Sequence, residues 1–218
     1  MSLAIFDLDN TLLGGDSDVL WGQFLVEKGL VDGAHYSSEN QRFYDEYNAG
    51  TLDIYEFLAF SLKPLSVHDM AQLKIWRNEY MQEKILPIVL PKAVALVEKH
   101  RQQNHTLMII TATNKFVTEL IAEQFSIPHL LATEPEMIDG QYTGKVSGTP
   151  CFQDGKVTRL NEWLKKHDGN LDNSFFYSDS HNDIPLLEKV THAIAVDADE
   201  KLQKVSGEKQ WKQMSLRD

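Results

Sequence analysis

The chain has 218 residues, 42% hydrophobic and 24% charged, a composition typical of an ordered globular protein and not of a disordered one. The 32 acidic residues outnumber the 21 basic ones and give a net charge of −11, which disfavours nucleic-acid and anionic-membrane partners. A single cysteine excludes an intrachain disulfide, no segment resembles a signal peptide or membrane span, and we expect a cytoplasmic protein.

Short apolar runs predict the strands of a buried sheet. The first is LAIF, Leu3–Phe6, and the later ones lie at 107–111, 130–133, 175–178 and 193–196. Continuous apolar runs, unlike alternating ones, are typical of parallel strands that are covered on both faces. Helical patterns between the later strands lie at 115–124, 157–166 and 184–189. The chain is therefore predicted to form an α/β fold with a doubly wound, Rossmann-like parallel sheet.

A long insertion follows the first strand. About a hundred residues separate it from the second strand, far more than one crossover connection needs. Residues 18–83 combine helical spacing with many aromatic side chains and are interrupted at Gly33, Gly50 and Pro64. We interpret this segment as a helical bundle with an aromatic core. The predicted domains are a helical cap at 16–85 and an α/β core formed by 1–15 and 86–218.

Two later segments are less regular. The segment MIDGQYTGKVSG at 137–148 has turn glycines beside alternating residues, which predicts a β-hairpin outside the main sheet. The tail after Val205 is polar except for Trp211 and Met214, and its pattern assigns it to no particular element.

Acidic pairs follow two of the predicted strands. Asp7 and Asp9 end the first strand, and Asp179 and Asp183 follow the fourth in YSDSHNDIP. Ligands of open α/β sheets bind outside the carboxyl ends of the strands, so these carboxylates are expected to converge. Converging carboxylates raise each other's pKa, and a divalent cation relieves the repulsion. Mg²⁺ suits such a site because it binds carboxylate, carbonyl, water and phosphate oxygens.

Other residues are suited to an anion. Thr111 ends the second predicted strand, and the next helix begins near Asn114, where free N–H groups favour phosphate. Lys156 lies at the start of the helix GKVTRLNEWL. Together with the carboxylates, these groups predict a phosphoryl-transfer site.

The same residues carry a family resemblance. DLDNT at 7–11 matches the D-x-D-x-T signature of the haloacid dehalogenase superfamily, and Thr111, Lys156 and the Asp179/Asp183 pair match its other three signatures in order. The helical insertion after the first motif resembles the C1 cap of the phosphoserine-phosphatase-like subfamily IB, and the hairpin DGQYTG before the lysine is similar too.

The resemblance implies roles for three aspartates. Asp7 is expected to be the nucleophile that forms an aspartyl-phosphate. Asp9 is expected to protonate the leaving oxygen and later to activate water. Asp179 is expected to bind the cofactor Mg²⁺, beside the Asp7 carboxylate and the Asp9 backbone carbonyl.

The resemblance also assigns the surrounding groups. Thr111, the Ala112 amide and Lys156 are expected to hold the phosphoryl oxygens. Asp183 is expected to support the metal site or its waters without binding the ion directly, and Asn182 is expected to contact either a water of the metal or the phosphate. Two alternatives stay open, because Asp183 also suits the N-cap of the following helix and Asn182 also suits a turn.

Substrate specificity is expected to involve Asp16. Phosphoserine phosphatases carry a glutamate there that meets the substrate amine, although Asp16 equally suits the N-cap of a helix starting near Val19. They also carry a cap arginine for the substrate carboxylate, but none follows the GTL segment at 50–52. Arg42 or Arg77 is the alternative source of that arginine. Histidinol phosphate is therefore favoured over phosphoserine.

The leading hypothesis is a Mg²⁺-dependent phosphatase that takes a small-molecule phosphomonoester as its partner and exists as a monomer or homodimer. The alternatives are a phosphotransferase with the same site and a non-catalytic phospholigand-binding protein of the same fold.

Overall fold

The computed structural model describes residues 2–217; Met1 and Asp218 lie outside the described residues. Its strands form one sheet with the order β4-β3-β2-β1-β5-β6-β7, parallel throughout except that β4 runs antiparallel to β3. The strands are β1 (Leu3–Phe6), β2 (Thr106–Asn114), β3 (His129–Ile138), β4 (Gln141–Ser147), β5 (Phe175–Ser178), β6 (His192–Val196) and β7 (Lys212–Met214).

The helices are α1 (Ser17–Glu27), α2 (Gly33–Ala49), α3 (Ile54–Ser61), α4 (Lys63–Ser66), α5 (Met70–Tyr80), α6 (Pro91–Gln102), α7 (Lys115–Gln124), α8 (Asp154–Lys166), α9 (Ile184–Leu187) and α10 (Glu200–Glu208). Helices α1 to α5 lie between β1 and β2, and a π-helical turn at Met81–Ile85 leads back toward the sheet. Within residues 2–217, no helix has the length and apolar character that a membrane crossing needs.

The doubly wound α/β fold is confirmed by the position of β1 in the middle of the sheet. Phe6 of β1 pairs with Ile109 of β2 on one side and with Tyr177 of β5 on the other. The strand order reverses at this point, so the carboxyl ends of β1, β2 and β5 lie side by side. This edge is where ligands of such sheets bind.

The apolar run of β1 is buried on both faces of the sheet. Ala4 and Phe6 belong to one hydrophobic cluster, and Leu3 and Ile5 belong to another on the opposite face. Successive strand residues point to opposite faces, so a strand covered on both sides must be apolar at every position. This explains why LAIF shows no alternation.

The hairpin prediction was wrong in one respect. The hairpin is not outside the main sheet, because β3 continues without a break from its parallel pairing with β2 into an antiparallel pairing with β4. The turn uses Asp139 and Gly140, both at positive φ (50° and 80°), which suits a tight hairpin turn. Helix α10 and the edge strand β7 were not predicted, since KQM at 212–214 carries no strand pattern.

The predicted aromatic core of the insertion is present. The Trp21 ring stacks on Phe24 at 5.6 Å and meets the edge of Tyr80 at 5.1 Å, and the Tyr80 hydroxyl donates to the Ser17 carbonyl at 2.6 Å. Trp21 also contacts Phe116 of α7, at 5.9 Å, so the insertion packs against a helix that flanks the sheet. The division into a core at 1–15 and 86–218 and a cap at 16–85 stays a prediction.

A buried histidine makes the stability of this fold sensitive to acid. His100 is 3% exposed; its Nε2 lies 2.8 Å from the Tyr177 hydroxyl and its Nδ1 2.7 Å from Nδ1 of His105. Burial, with smaller contributions from His105 and Lys99, lowers the pKa of His100 from 6.5 to about 4. The unfolded chain therefore binds more protons between these values. We expect stability to be complete above the unfolded pKa and to fall toward pH 4, by up to about 3 kcal/mol.

Urea unfolding of wild type and His100→Gln at several pH values measures this effect. The variant should show a shallower loss of unfolding free energy between about pH 7 and pH 5. His35→Gln, at an exposed position of α2, is the matched control and should follow wild type. Parallel curves for wild type and His100→Gln would contradict the prediction.

Candidate active site

The loop after β1 presents both aspartates of the first motif. The Asp7 amide donates to the Tyr177 carbonyl at 2.9 Å, so Asp7 continues the sheet by one residue. Asn10 takes a left-handed conformation (φ 55°), which asparagine tolerates, and its amide donates to the Gly15 carbonyl at 3.0 Å. Buried Leu8 lies between the two aspartates and anchors the loop in the core. Asp7 and Asp9 are thereby held at the carboxyl end of β1.

Lys156 joins the first motif to the last. It lies in the first turn of α8, is 4% exposed, and its Nζ lies 2.7 Å from Asp7 Oδ1 and 2.7 Å from Asp183 Oδ1. Asp183 also accepts from the Ser178 hydroxyl at 2.6 Å and makes no side-chain capping bond to α9. Asp183 occupies the N-cap position of α9, as the alternative predicted, but its carboxylate bonds the lysine and not the helix amides.

Asp9 is held by neutral donors. Its Oδ1 accepts from the Ser17 amide at 2.6 Å, and its Oδ2 accepts from the hydroxyls of Thr113 at 2.8 Å and Thr111 at 3.4 Å. Burial, with the nearby Asp16 charge, raises the pKa of Asp9 to about 6, against the lowering effect of these hydrogen bonds. A carboxyl group with this pKa can release and regain a proton near neutral pH.

The pKa of Asp7 depends on a different set of neighbours. Burial raises its pKa to about 7, Asp183 and Asp9 add to the rise, and Lys156 opposes it. The structure thus places a buried carboxylate, which lines the cavity, against a fixed ammonium. Asp7 is 6% exposed.

The second motif differs from the prediction in its local structure. Strand β2 does not end at Thr111 but runs to Asn114, with a shift in its pairing to β3 between Ile110 and Asn114. Thr111 and Ala112 lie in this shifted segment and line the same cavity as Asp7. Thr113, which sequence reasoning missed, bonds Asp9; its signal was a second hydroxyl residue two positions after Thr111 in the strand.

Asp179 and Asn182 lie in the loop after β5 and line the same cavity. Asp179 accepts from the Thr11 hydroxyl at 3.1 Å, and burial, Asp7 and Asp183 together raise its pKa well above the usual range. Asn182 accepts from Gln153 at 2.8 Å, while its buried Nδ2 has no partner in the described part of the chain. The structure therefore brings all four motifs to one place.

The donor set fits a magnesium ion. In residues 2–217, no group of three or more His, Cys, Asp or Glu side chains is placed to coordinate a metal ion by itself. The predicted set contains only two side-chain carboxylates, Asp7 and Asp179, with the Asp9 carbonyl; Mg²⁺ commonly uses one or two carboxylates beside waters and phosphate. Asp7 and Asp183 share one ammonium, that of Lys156, and their charges raise the pKa of nearby Asp179, so a divalent cation would offset an excess of negative charge.

A cavity of about 320 Å³ extends from these residues to the inserted helices. Two carboxylates and several rings line it on the side of the insertion: Asp16, Asp18, Phe43, Tyr44, Tyr47 and Phe57. The predicted bundle core therefore supplies part of the cavity wall. Carboxylates and aromatic faces both attract cations, so this wall suits a positively charged group.

Hydrogen bonds fix the carboxyl end of helix α2 beside the site. The Tyr47 hydroxyl donates to Ser180 Oγ at 2.9 Å, and Lys201 Nζ donates to the carbonyls of Asn48 at 2.8 Å and Ala49 at 3.2 Å. A cation at the carboxyl end of a helix is favourable because carbonyls there lack partners.

Asp16 is the N-cap of α1, which begins at Ser17. Its Oδ1 accepts from the amides of Asp18 and Val19, each at 2.9 Å. The N-cap alternative is therefore confirmed, although Asp16 also lines the cavity.

Comparisons with known proteins agree with this geometry. The family model of haloacid dehalogenase-like hydrolases matches residues 4–188. A histidinol-phosphatase from Neisseria meningitidis serogroup C (strain 8013) is 42% identical over 214 residues, which is 96% of each chain.

Solved structures share the architecture. A protein of unknown function from Bordetella pertussis Tohama I superposes with a TM-score of 0.93 at 41% identity, covering 99% of this chain and 98% of that one. A substrate-bound phosphoserine phosphatase superposes with a TM-score of 0.72 at 17% identity, covering 99% and 93%. By its family match and its 42% identical relative, this chain belongs to the haloacid dehalogenase-like hydrolase family and is a phosphatase.

Proposed function

We propose that the protein is a Mg²⁺-dependent phosphatase of small phosphomonoesters that works through an aspartyl-phosphate on Asp7. The observation that carries the proposal is the position of Asp7, buried at the carboxyl end of β1 and 2.7 Å from the buried Lys156 ammonium. A fixed ammonium beside a carboxylate suits attack on an anionic phosphoryl group, since it offsets the repulsion between the two anions.

Each residue has a separate task in this reaction. The Asp7 carboxylate attacks phosphorus, and the bond from phosphorus to the leaving oxygen breaks as Asp9 protonates that oxygen. Asp9, now ionised, takes a proton from the water that attacks phosphorus in the aspartyl-phosphate. The bond from phosphorus to the Asp7 oxygen then breaks, which frees the Asp7 carboxylate and releases inorganic phosphate. The hydrogen bonds from Ser17 and Thr113 keep the Asp9 carboxyl in place in both steps.

The phosphoryl oxygens need donors throughout. Lys156 supplies one fixed positive charge, and Thr111 and Ala112 line the cavity beside it. Asp7, Asp179 and the Asp9 carbonyl would hold Mg²⁺, with Asn182 close by and Asp183 behind Lys156. When bound, the metal would add positive charge where phosphoryl oxygens gather negative charge.

The insertion is proposed to act as a cap. Residues 16–85 would cover the cavity, exclude water before attack and contact the leaving group. Two contacts support this: Tyr47 joins the insertion to Ser180 in the loop that carries Asp179, and Lys201 of α10 holds the carboxyl end of α2.

Histidinol phosphate is the substrate we favour over phosphoserine. Arg42 is bound by three glutamates, and Arg77 is bound by the Phe116 carbonyl and Glu119; neither lines the cavity. The alternative that either arginine clamps a substrate carboxylate therefore has no support in this structure. The wall of carboxylates and rings suits an ammonium and an imidazole, and the 42% identical relative is a histidinol-phosphatase.

Steady-state kinetics on the two esters test this function. With Mg²⁺, we expect kcat/KM for histidinol phosphate to exceed that for phosphoserine by about 100-fold. The carboxylate of phosphoserine would contact only carboxylates and aromatic rings of the cavity wall, which offer it no positive charge. Chelation of the metal should reduce both rates to background. Equal release of alcohol and inorganic phosphate would distinguish hydrolysis from transfer to an acceptor. A preference for phosphoserine would refute the substrate assignment.

A further inference from the structure

Besides Asp16, a second carboxylate lines the cavity wall, and it has no cationic partner within the described residues. Asp18 lies in the first turn of α1, lines the cavity and makes no ion pair within the described residues. Its neutral neighbour is the side-chain amide of Asn114, which is 2% exposed and whose Nδ2 has no hydrogen-bond partner there.

The charges around Asp18 are unfavourable to a carboxylate. Asp9 and Asp16 are acidic, and the Tyr36 and Tyr80 hydroxyls that also face it are neutral. Burial, followed by the charges of Asp16 and Asp9, raises the pKa of Asp18 to about 8, against the lowering effect of the neighbouring Asn114 side-chain amide. A cation next to the Asp18 carboxylate would offset the repulsion from the charges of Asp9 and Asp16.

Asp16 is less free to take that cation. One of its oxygens already accepts two backbone N–H groups of α1, at 2.9 Å each. These bonds satisfy donors that a helix start leaves without partners, so Asp16 has a structural role that Asp18 lacks.

The remaining cavity wall decides what kind of cation fits. Phe43 and Phe57 meet edge to face at 5.3 Å, and Tyr44 and Tyr47 lie on the same helix as Phe43. In the described chain, only two basic residues line the cavity. Lys156 is held by two carboxylates, and Arg217 bonds the backbone and side-chain oxygens of Asn10 at 3.2 and 3.4 Å. Both belong to the sheet domain.

We infer that Asp18 binds the ammonium group of the leaving alcohol, and that this phosphatase thereby selects phosphomonoesters of amino alcohols. The inference rests on the proposed function and deepens it, because it assigns the recognition of the amine to Asp18 instead of Asp16. A charge-assisted hydrogen bond in a desolvated pocket corresponds to about 10- to 100-fold in affinity.

The test compares histidinol phosphate with the analogue that lacks only the amino group. The measured quantity is the ratio of the two kcat/KM values, for wild type, Asp18→Asn, Asp16→Asn and Asp32→Asn. Asp32 is the exposed N-cap of α2, so Asp32→Asn makes the same chemical change away from the cavity. We expect a wild-type ratio of at least about 30 that falls close to one in Asp18→Asn and persists in the other two variants.

Binding of the free alcohol histidinol, measured by calorimetry without metal, gives a second readout. Asp18→Asn should bind it at least about ten times more weakly than wild type. Unchanged ratios and affinities in Asp18→Asn would overturn the inference, as would an amine-specific loss in Asp16→Asn alone. A wild type that hydrolyses both esters equally also overturns it while the phosphatase function stands. A wild type that hydrolyses neither ester with Mg²⁺ refutes the proposed function, and the histidinol affinities then decide the inference alone.

Discussion

Asp7→Asn is expected to lower kcat on any phosphomonoester by about 10⁴-fold or more, because an amide oxygen is a far weaker nucleophile than a carboxylate. The substitution keeps the shape of the side chain and an acceptor for Lys156, which now bonds Asp7 Oδ1 at 2.7 Å. Hydrolysis of p-nitrophenyl phosphate with Mg²⁺ measures the change.

The fold should survive this substitution. Burial and the neighbouring carboxylates raise the pKa of Asp7, so the native state holds its negative charge at a cost. Thermal unfolding of the metal-free variant should therefore have a midpoint equal to or above that of wild type. Brief incubation with labelled substrate should leave a phosphoryl group on the wild-type protein and none on Asp7→Asn. Equal rates for the two proteins would remove Asp7 from its proposed role.

Lys156→Met is expected to reduce kcat/KM by about 10³-fold and to destabilise the metal-free protein by about 3 kcal/mol. The methionine removes the ammonium that now bonds both Asp7 and Asp183 at 2.7 Å, in a place where the lysine is 4% exposed. Two buried carboxylates, Asp7 and Asp183, then lose the ammonium that they share. Kinetics and urea unfolding measure the two effects.

A second lysine on the same helix provides the control. Lys165 lies exposed in the last turn of α8, and Lys165→Met should change neither activity nor stability beyond about 0.5 kcal/mol. Added Mg²⁺ should recover part of the stability lost in Lys156→Met, since it restores positive charge beside the carboxylates. A Lys156→Met enzyme with wild-type kcat/KM would contradict the role of this lysine.

Most of the sheet was predictable because its signals are local. A strand buried on both faces must be apolar at every position, and β1 and β5 begin and end where the sequence pattern places them. The break at Gly50 was equally readable, since the residue closes α2 in a left-handed conformation with φ 80°. Strand β7 was not predictable, because three polar residues form a strand only when β6 offers them an edge.

The candidate site was likewise only partly predictable from the sequence. Its residues were recognisable as motifs, each read within a few positions of a strand end or a helix start. Their partners were not, because Lys156 and Asp7 are 149 positions apart and meet only in the folded chain. The hairpin was misplaced for a related reason, since nothing within MIDGQYTG shows that β3 continues into it.

By itself, the sequence determined the parallel sheet, the helical insertion after β1, which residues make up the candidate site, and the missing arginine after the GTL segment at 50–52. Tertiary structure alone decided that the Asp183 carboxylate bonds Lys156 and not the helix amides, and that Asp16 is occupied while Asp18 is free of a counter-charge. The physical reason is the separation along the chain of the groups that interact. Strand burial and helix breaks depend on neighbours along the chain, whereas the charge state and freedom of a carboxylate depend on groups that only folding brings within a few ångströms.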